Sequence, residues 1–410
     1  MIGSRRVAVT GLGAITPGGL DPSALWEALL LGRSRAGDLP EMDETFGPVH
    51  IGCRVATDFD PRVHLSHPET RRTDRTTQLG ICAAMDAVAD AGWEDPGGDR
   101  TAIVVGTGLG GMIRPFLTAL ETLDEKGFMR VNPLTVPLIM PNATAGWLSM
   151  KLGVTGMATT VSQACSSGAA AIGDAARLVA TGVVDRAVAG GTEALTHPIV
   201  IAAFARMEAL SRRNDDPEQA SRPFDRDRDG FVLGEGAGFV TLEAEDLVAA
   251  RGGRVRARVT GYGATSDAYH LVAPHEEGAG AIASMRAALA DAGLDPSAVA
   301  HVNAHGTSTE LNDRMEALAL NEVFGERVPP VTANKGTIGH LVGAAGAVEA
   351  VAAIRSLETG LVPPTANYEN PDPEIDLDIV AGTPREVAPG PVLSNSFAFG
   401  GHNVTLILEP

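Results

Sequence analysis

The chain predicts an α/β fold made of two duplicated halves, each a mixed sheet with helices against its faces. Three observations carry this. A helix-then-strand unit recurs half a chain apart, reactive side chains stand at three strand-to-helix junctions, and 410 residues without a low-complexity linker can bury a large core shared by both halves. The halves are expected at residues 1–250 and 251–410, with the boundary falling near Ala249 to Arg256.

Met1 to Arg6 lead into an apolar strand of about ten residues, too short for a secretory h-region with its cleavage site. Ile81 to Ala91 reads as an amphipathic helix ended by Gly92, and behind it a buried-strand pattern ends in Gly106-Thr107. Ile282 to Ala292, ended by Gly293, and a strand ending in Gly306-Thr307 repeat that unit. Alanine-rich helices look alike by composition, but composition does not place the same strand and Gly-Thr pair behind both. Gly106-Thr107-Gly108-Leu109-Gly110-Gly111 satisfies the dinucleotide pattern G-x-G-x-x-G. No acidic residue ends a second strand at the required spacing, since Glu121, Asp124 and Glu125 sit in a polar stretch, so the hit is rejected.

Val161-Ser162-Gln163-Ala164-Cys165-Ser166-Ser167-Gly168 is a strand end that runs through small residues into an alanine-rich helix. A helix starting at Ser166 or Ser167 aims its free backbone N–H groups at the Cys165 sulfur and favours the thiolate. A lone cysteine is as often a buried structural residue, so the reading depends on what lies downstream. Gln163-Ala164-Cys165 also opens a caspase signature, but Ser166-Ser167-Gly168 breaks it and no histidine lies upstream where that family needs one. Downstream, His305 sits in Asn303-Ala304-His305-Gly306-Thr307-Ser308-Thr309, and His340 sits between Asn334-Lys335-Gly336-Thr337-Ile338-Gly339 and Leu341-Val342-Gly343. Each follows a short strand pattern and precedes a helix, the position at which open α/β sheets build their sites. One thiol and two imidazoles on three such loops point to acyl chemistry.

At these residues the chain resembles the elongating β-ketoacyl-acyl-carrier-protein synthases, or ketosynthases, of dissociated fatty-acid and polyketide systems, members of the thiolase superfamily. The likeness runs from Arg6-Val7-Ala8-Val9-Thr10-Gly11-Leu12-Gly13 through the Cys165 segment, Ser221-Arg222-Pro223-Phe224-Asp225 and Gly230 to Gly238. It continues through both histidine segments to Asn395-Ser396-Phe397-Ala398-Phe399-Gly400-Gly401. It implies a thiolase-like five-layered αβαβα sandwich and a decarboxylative Claisen condensation of malonyl carrier protein with an acyl group held on Cys165.

The resemblance implies a set of roles. Cys165 is the nucleophile, with the backbone N–H groups of Cys165 and Phe399 as oxyanion donors; His305 and His340 stabilise the enolate left by decarboxylation; Lys335 is the active-site lysine. Thr307 and Thr309 bond the phosphopantetheine arm, Leu109 and Gly400 belong to the substrate site, and Phe399 is a mobile gate whose freedom comes from Gly400-Gly401. Glu349 lies on an otherwise apolar helix, Val342 to Leu357, where an unpaired carboxylate is costly, and pairing with Lys335 resolves both charges. Three departures stand out: Ala398 where relatives often have glycine, Glu310 where they often have proline, and Asn334 and Gly336 around the lysine. They weaken assignment to the primary fatty-acid branch, and Asn214 to Glu218 with the alanine-rich composition lean towards polyketide work.

Two other classes share features of this reading. A non-catalytic chain-length-determining subunit has the same fold but lacks the nucleophile. A thiolase or coenzyme-A-dependent initiating synthase needs a second cysteine or a His-Asn pair, and neither Cys53 nor Cys82 lies in a suitable glycine-rich motif.

Three cysteines argue against a disulfide framework and for a reducing, cytoplasmic setting. No apolar run reaches membrane-span length. The formal net charge of −19 disfavours nucleic acid, and no metal-ligand spacing appears, so neither a metal nor a bound cofactor is expected. The expected partners are an acyl carrier protein and a second subunit, either a copy of this chain or a paralogous ketosynthase or chain-length factor. Carrier proteins are typically acidic, so an acidic chain must attract one through local cations. Arg71, Arg72 and Arg75 before the first repeated helix, with Arg206 ahead of Arg212-Arg213, are the candidate docking set.

Overall fold

A computed structural model of the protein describes residues 5–410; Met1 to Ser4, on which part of the leader argument rests, lie outside it. Ten strands form the main sheet: β1 (Val7–Ile15), β2 (Thr101–Gly106), β3 (Ala158–Val161), β4 (Arg186–Ala194), β5 (Glu235–Ala244), β6 (Ala257–Ser266), β7 (His301–Asn303), β8 (Val331–Thr332), β9 (Val392–Ala398) and β10 (His402–Glu409). Their order is β8-β7-β9-β10-β6-β1-β5-β4-β2-β3. Outward from the middle, β1-β5-β4-β2-β3 and β6-β10-β9-β7-β8 are one topology used twice. In each set the strand ranked second pairs in parallel with its two neighbours, and the other two pairings are antiparallel.

The sequence predicts two mixed sheets, and the structure joins them. Ala8 and Val9 of β1 pair antiparallel with Arg258 and Ala257 of β6, a contact of two residues that makes the sheet continuous.

Six of the helices are α1 (Arg75–Asp90), α2 (Ile113–Lys126), α3 (Ser167–Ala180), α4 (Ala279–Ala292), α5 (Glu310–Phe324) and α6 (Ala345–Thr359). Helix α1 packs on β1, β4 and β5, and α4 on β6 and β10, with α5 beside it. Between the two halves lie α3 and α6, which touch each other and strands from both. The layers therefore run α1, first half-sheet, α3 with α6, second half-sheet, α4 with α5, the five-layered sandwich of the thiolase-like fold.

The repeat extends to atomic detail. A Cβ on Gly11 or Gly13 of β1 would lie 2.0 or 1.8 Å from the Ala87 or Ala83 carbonyl oxygen of α1; on Gly261 or Gly263 of β6 it would lie 2.3 or 2.0 Å from those of Ala288 or Ser284 in α4. Both halves thus remove the same two side chains to bring a helix onto its strand. Helix α1 starts at Asp74, whose carboxylate accepts from the N–H of Thr76 and Thr77, and ends before Gly92 at φ +65°; α4 ends at Gly293 at φ +69°. The central helices are packed on all sides, which explains their alanine content: Ala169, Ala170, Ala171, Ala175, Ala176, Ala347, Ala350, Ala352 and Ala353 are all buried. Among the described residues no helix is long and apolar enough to cross a membrane.

Candidate active site

Cys165 stands where β3 turns into α3. The turn is tight: Ala164 is forced to φ +46°, Ala164–Ser166 form one 3-10 turn, and α3 starts at Ser167. Ser167 Oγ fixes this turn, accepting from the Gln163 N–H at 2.8 Å and lying 2.7 Å from the Ala164 carbonyl oxygen and 3.2 Å from that of Thr107. The backbone N–H groups of Cys165 and Phe399 both favour negative charge on Sγ. The expected resting thiolate is nevertheless not what the structure gives. Cys165 is 8% exposed, and burial pushes its thiol up to about 12, with Lys335 pulling it down and Glu193 pushing it further up. Loss of solvent outweighs the helix terminus, so the unacylated cysteine rests as a thiol.

The two histidines follow β7 and the Lys335–Ile338 turn. Their rings lie 5.4 Å apart, edge to face, and both line a cavity of about 470 Å³ with Cys165. Lys335 Nζ lies 3.2 Å from His305 Nδ1, and an ammonium can only donate. Nδ1 is therefore the acceptor and the ring proton sits on Nε2. At His340, Nδ1 accepts from the Val342 N–H at 3.3 Å, which places that proton on Nε2 as well. Burial, with Lys335 beside them, holds both imidazoles well below their ordinary range, so they are neutral donors. Phe231 and Phe397 pack edge-on against His340 and His305.

Lys335 and Glu349 meet as the apolar helix requires: Nζ donates to Glu349 Oε1 at 2.5 Å and to the His305 carbonyl oxygen at 2.6 Å, with both side chains 1% exposed. Burial raises the Glu349 carboxyl to about 7 against the pull of Lys335. The helix opens at Val342 as expected, but as a 3-10 turn, Val342–Ala344, that α6 continues.

The cavity is also lined by Thr307, Thr309, Phe204, Phe397, Ala398 and Phe399. The hydroxyls of Thr307 and Thr309 are 2.9 Å apart. Phe399 is half-buried, 6.3 Å from the Phe204 ring, and precedes Gly400 and Gly401 at φ +84° and +71°. Leu109 sits on the loop after β2, which flanks the Cys165 turn, and is 38% exposed. Glu310 opens α5 at the cavity wall.

The four arginines differ in their surroundings. Arg71 and Arg72 are exposed, whereas Arg75 is held by the buried Glu235 carboxylate at 2.6 and 2.8 Å. Arg71 and Arg75 line a second cavity of about 380 Å³ with Arg114 and Arg130. Arg206 is exposed, next to Met207 and Glu208 of the Cys165 cavity.

Among the buried carboxylates that the sequence does not single out, two brace the site. Glu316 accepts from the His305 and Gly306 N–H groups, each at 2.8 Å, and Glu193 from a set of amides beside Cys165. The one available signal was an acidic residue inside a small-residue or apolar segment. Among the described residues no group of three or more His, Cys, Asp or Glu side chains is placed to hold a metal ion.

The family profile described as Beta-ketoacyl synthase, N-terminal domain, matches residues 4–247, and that of the C-terminal domain matches residues 256–369. A 3-oxoacyl-[acyl-carrier-protein] synthase 2 from Synechocystis is 43% identical over 99% of this chain and 98% of its own, and one from Staphylococcus aureus is 40% identical over the same shares. Among solved structures, a beta-ketoacyl synthase from Burkholderia phymatum superposes with a TM-score of 0.92 at 35% identity, and the ishigamide ketosynthase/chain length factor with 0.91 at 34%; both cover 99% of each chain. The AntDE:AntF assembly, a type II PKS acyl-carrier protein in complex with its ketosynthase, matches with 0.89 at 29% over 99% of each chain. On the duplicated fold and the full-length matches, the chain belongs to the beta-ketoacyl synthase family.

Proposed function

We propose that the chain is a β-ketoacyl-acyl-carrier-protein synthase that condenses malonyl carrier protein with an acyl group on Cys165, in type II polyketide or fatty-acid synthesis. One observation carries this: the cavity that holds the thiol also holds two neutral imidazoles whose protons are fixed on Nε2. Cys165 attacks an acyl carrier thioester, the S–acyl bond moves to Sγ, and the carrier leaves as its thiol with the proton that Cys165 gives up. Cleavage of the malonyl carboxyl bond then releases carbon dioxide and puts negative charge on the thioester oxygen, where the two Nε2–H groups donate. The resulting carbon nucleophile attacks the acyl carbonyl, whose oxyanion takes the N–H groups of Cys165 and Phe399. Collapse expels the Cys165 thiolate, which takes a proton from solvent. Phosphopantetheine arrives on the carrier, with Thr307 and Thr309 as its hydroxyl partners, Leu109 and Gly400 on the substrate's path and Phe399 as the gate.

The halves, 1–250 and 251–410, then bring nucleophile and histidines respectively. The nucleophile itself argues against a non-catalytic subunit.

A second subunit belongs to this reading. Helix α2 has no buried residue and exposes Phe116, Leu117, Leu120 and Leu123, with Phe128, Met129 and Val136 beyond it, and β3 beside Cys165 is an open sheet edge. A copy of this chain or a paralogue covers that face. Arg71, Arg72 and Arg206 remain for carrier docking. The setting is cytoplasmic.

The test uses His305→Ala and His340→Ala with malonyl and acyl carrier proteins. Carbon dioxide release falls by about 100-fold or more, while acyl transfer to Cys165 survives. Release at the parental rate in both variants would contradict the assigned roles.

A further inference from the structure

Glu193 lies at the end of β4, is 0% exposed, and has both carboxylate oxygens occupied by donors alone. Oε2 accepts from the N–H of Gly108 at 2.5 Å and Gly343 at 3.2 Å; Oε1 accepts from those of Leu109 at 3.3 Å and Gly110 at 3.1 Å and from Thr107 Oγ1 at 3.2 Å. Four amides and a hydroxyl facing two oxygens satisfy the ionised form best, although burial raises the group to about 7.

These amides come from both sides of the site. Gly343 is three residues past His340, whose Nδ1 is fixed by the neighbouring Val342 N–H. The 107–110 loop touches the Cys165 turn through Ser167 Oγ to the Thr107 carbonyl oxygen and Ser162 Oγ to that of Gly108. The approach tolerates no side chain: a Cβ on Gly343 would lie 2.3 Å from Gly108 N and 2.5 Å from Glu193 Oε2. A hydrogen-bonded path thus runs from His340 through Val342–Gly343, Glu193 and the 107–110 loop to Cys165, crossing from one half to the other.

We infer that Glu193 is a positioning residue of the condensing site, clamping the nucleophile turn to the His340 loop and setting the charge that the Cys165 thiol faces. Its anion opposes thiolate formation at rest, against Lys335, with the neutral His305 and His340 rings on the same cavity. This rests on the ketosynthase reading.

The test compares Glu193→Gln and Glu193→Asp with the parent. Three measurements are made: condensation of acyl and malonyl carrier proteins, carbon dioxide release, and the pH profile of Cys165 alkylation by iodoacetamide. The Gln variant puts an amide NH₂ against N–H donors and removes the charge. Condensation falls by about 10-fold or more, and the alkylation midpoint moves down by roughly one pH unit, a shift that loss of stability alone does not produce. The Asp variant keeps the charge but not the reach, so condensation falls while the alkylation midpoint stays near the parent's; it also serves if the Gln variant does not fold. Parental condensation in either folded variant would overturn the inference, as would an unmoved alkylation profile in a folded Gln variant, or, if that variant does not fold, a moved one in Asp. A parent that alkylates normally but never condenses would instead sink the ketosynthase reading.

Discussion

The halves share a strand order and part company where the strands end. In the first, the loop after β2 is held by a carboxylate, Glu193, that answers only to backbone amides and a hydroxyl, and Cys165 is left a thiol. In the second, the equivalent loop after β7 is held by Glu316, and a cation, Lys335, is buried beside it to fix His305 and pair with Glu349. Duplication supplies two similar frames, each braced by a buried carboxylate that accepts from backbone amides, and the second adds a buried cation that fixes the His305 tautomer. On the proposed chemistry the thiol gives up its proton on meeting a thioester, while the imidazoles keep theirs.

The largest effect belongs to the first frame. Cys165→Ala removes the acyl acceptor while changing little volume, so condensation drops by about 1,000-fold or more with the fold retained, checked by product mass and circular dichroism. Condensation near the parental rate would place the nucleophile elsewhere and end the comparison. Next is the buried cation. Lys335→Met leaves Glu349 without its partner and costs about 3–5 kcal/mol of unfolding free energy. The Glu349 carboxyl lies above its unfolded range, so its neutral form is favoured on folding below the unfolded range and that benefit is lost as pH rises through about 7. The deficit in Lys335→Met accordingly widens from pH 6 to pH 8, and the pair Lys335→Met with Glu349→Gln recovers most of it, as denaturant titrations at the two pH values will show.

Position 301 sharpens the comparison further. Thr101 starts β2 and bonds Gly97 and Arg186, whereas His301 at the matching place in β7 is buried with neither ring nitrogen bonded to any described residue and is lowered to about 4 by burial. A histidine depressed in the folded state contributes stability above its unfolded value, near 6.5, and loses it as pH falls. Between pH 7 and pH 5 that loss is about 2 kcal/mol. His301→Leu flattens the thermal-midpoint profile over this window; an unchanged slope would show that His301 does not carry it. The smallest effect is at the surface, where Arg72→Glu raises KM for carrier-bound substrate about threefold without altering turnover of a small thioester mimic.

The convergence of Cys165, His305 and His340 on one cavity was legible because each stands in a small-residue segment at a strand-to-helix junction, whereas Lys335 entered through the family resemblance. The Lys335–Glu349 pair was legible because a carboxylate on an apolar helix demands a cation nearby. Glu193 and Glu316 were not, because backbone amides satisfy them and an amide carries no sequence signature; the donors to Glu193 lie 83 to 150 residues away. The resting thiol was missed because helix position is local and burial is not. The continuous sheet was missed because two residues at Ala8 and Val9 decide it.

The central claim is that one cavity joins a thiol that accepts acyl groups to two imidazoles that stabilise an enolate. The most direct measurement is a single turnover, in which Cys165 is acylated, its mass confirmed, and one equivalent of malonyl carrier protein added. The account predicts carbon dioxide and β-ketoacyl carrier protein appearing together, one of each per acyl group lost from Cys165. Loss of the acyl group as free acid, with the malonyl carrier intact, would contradict it.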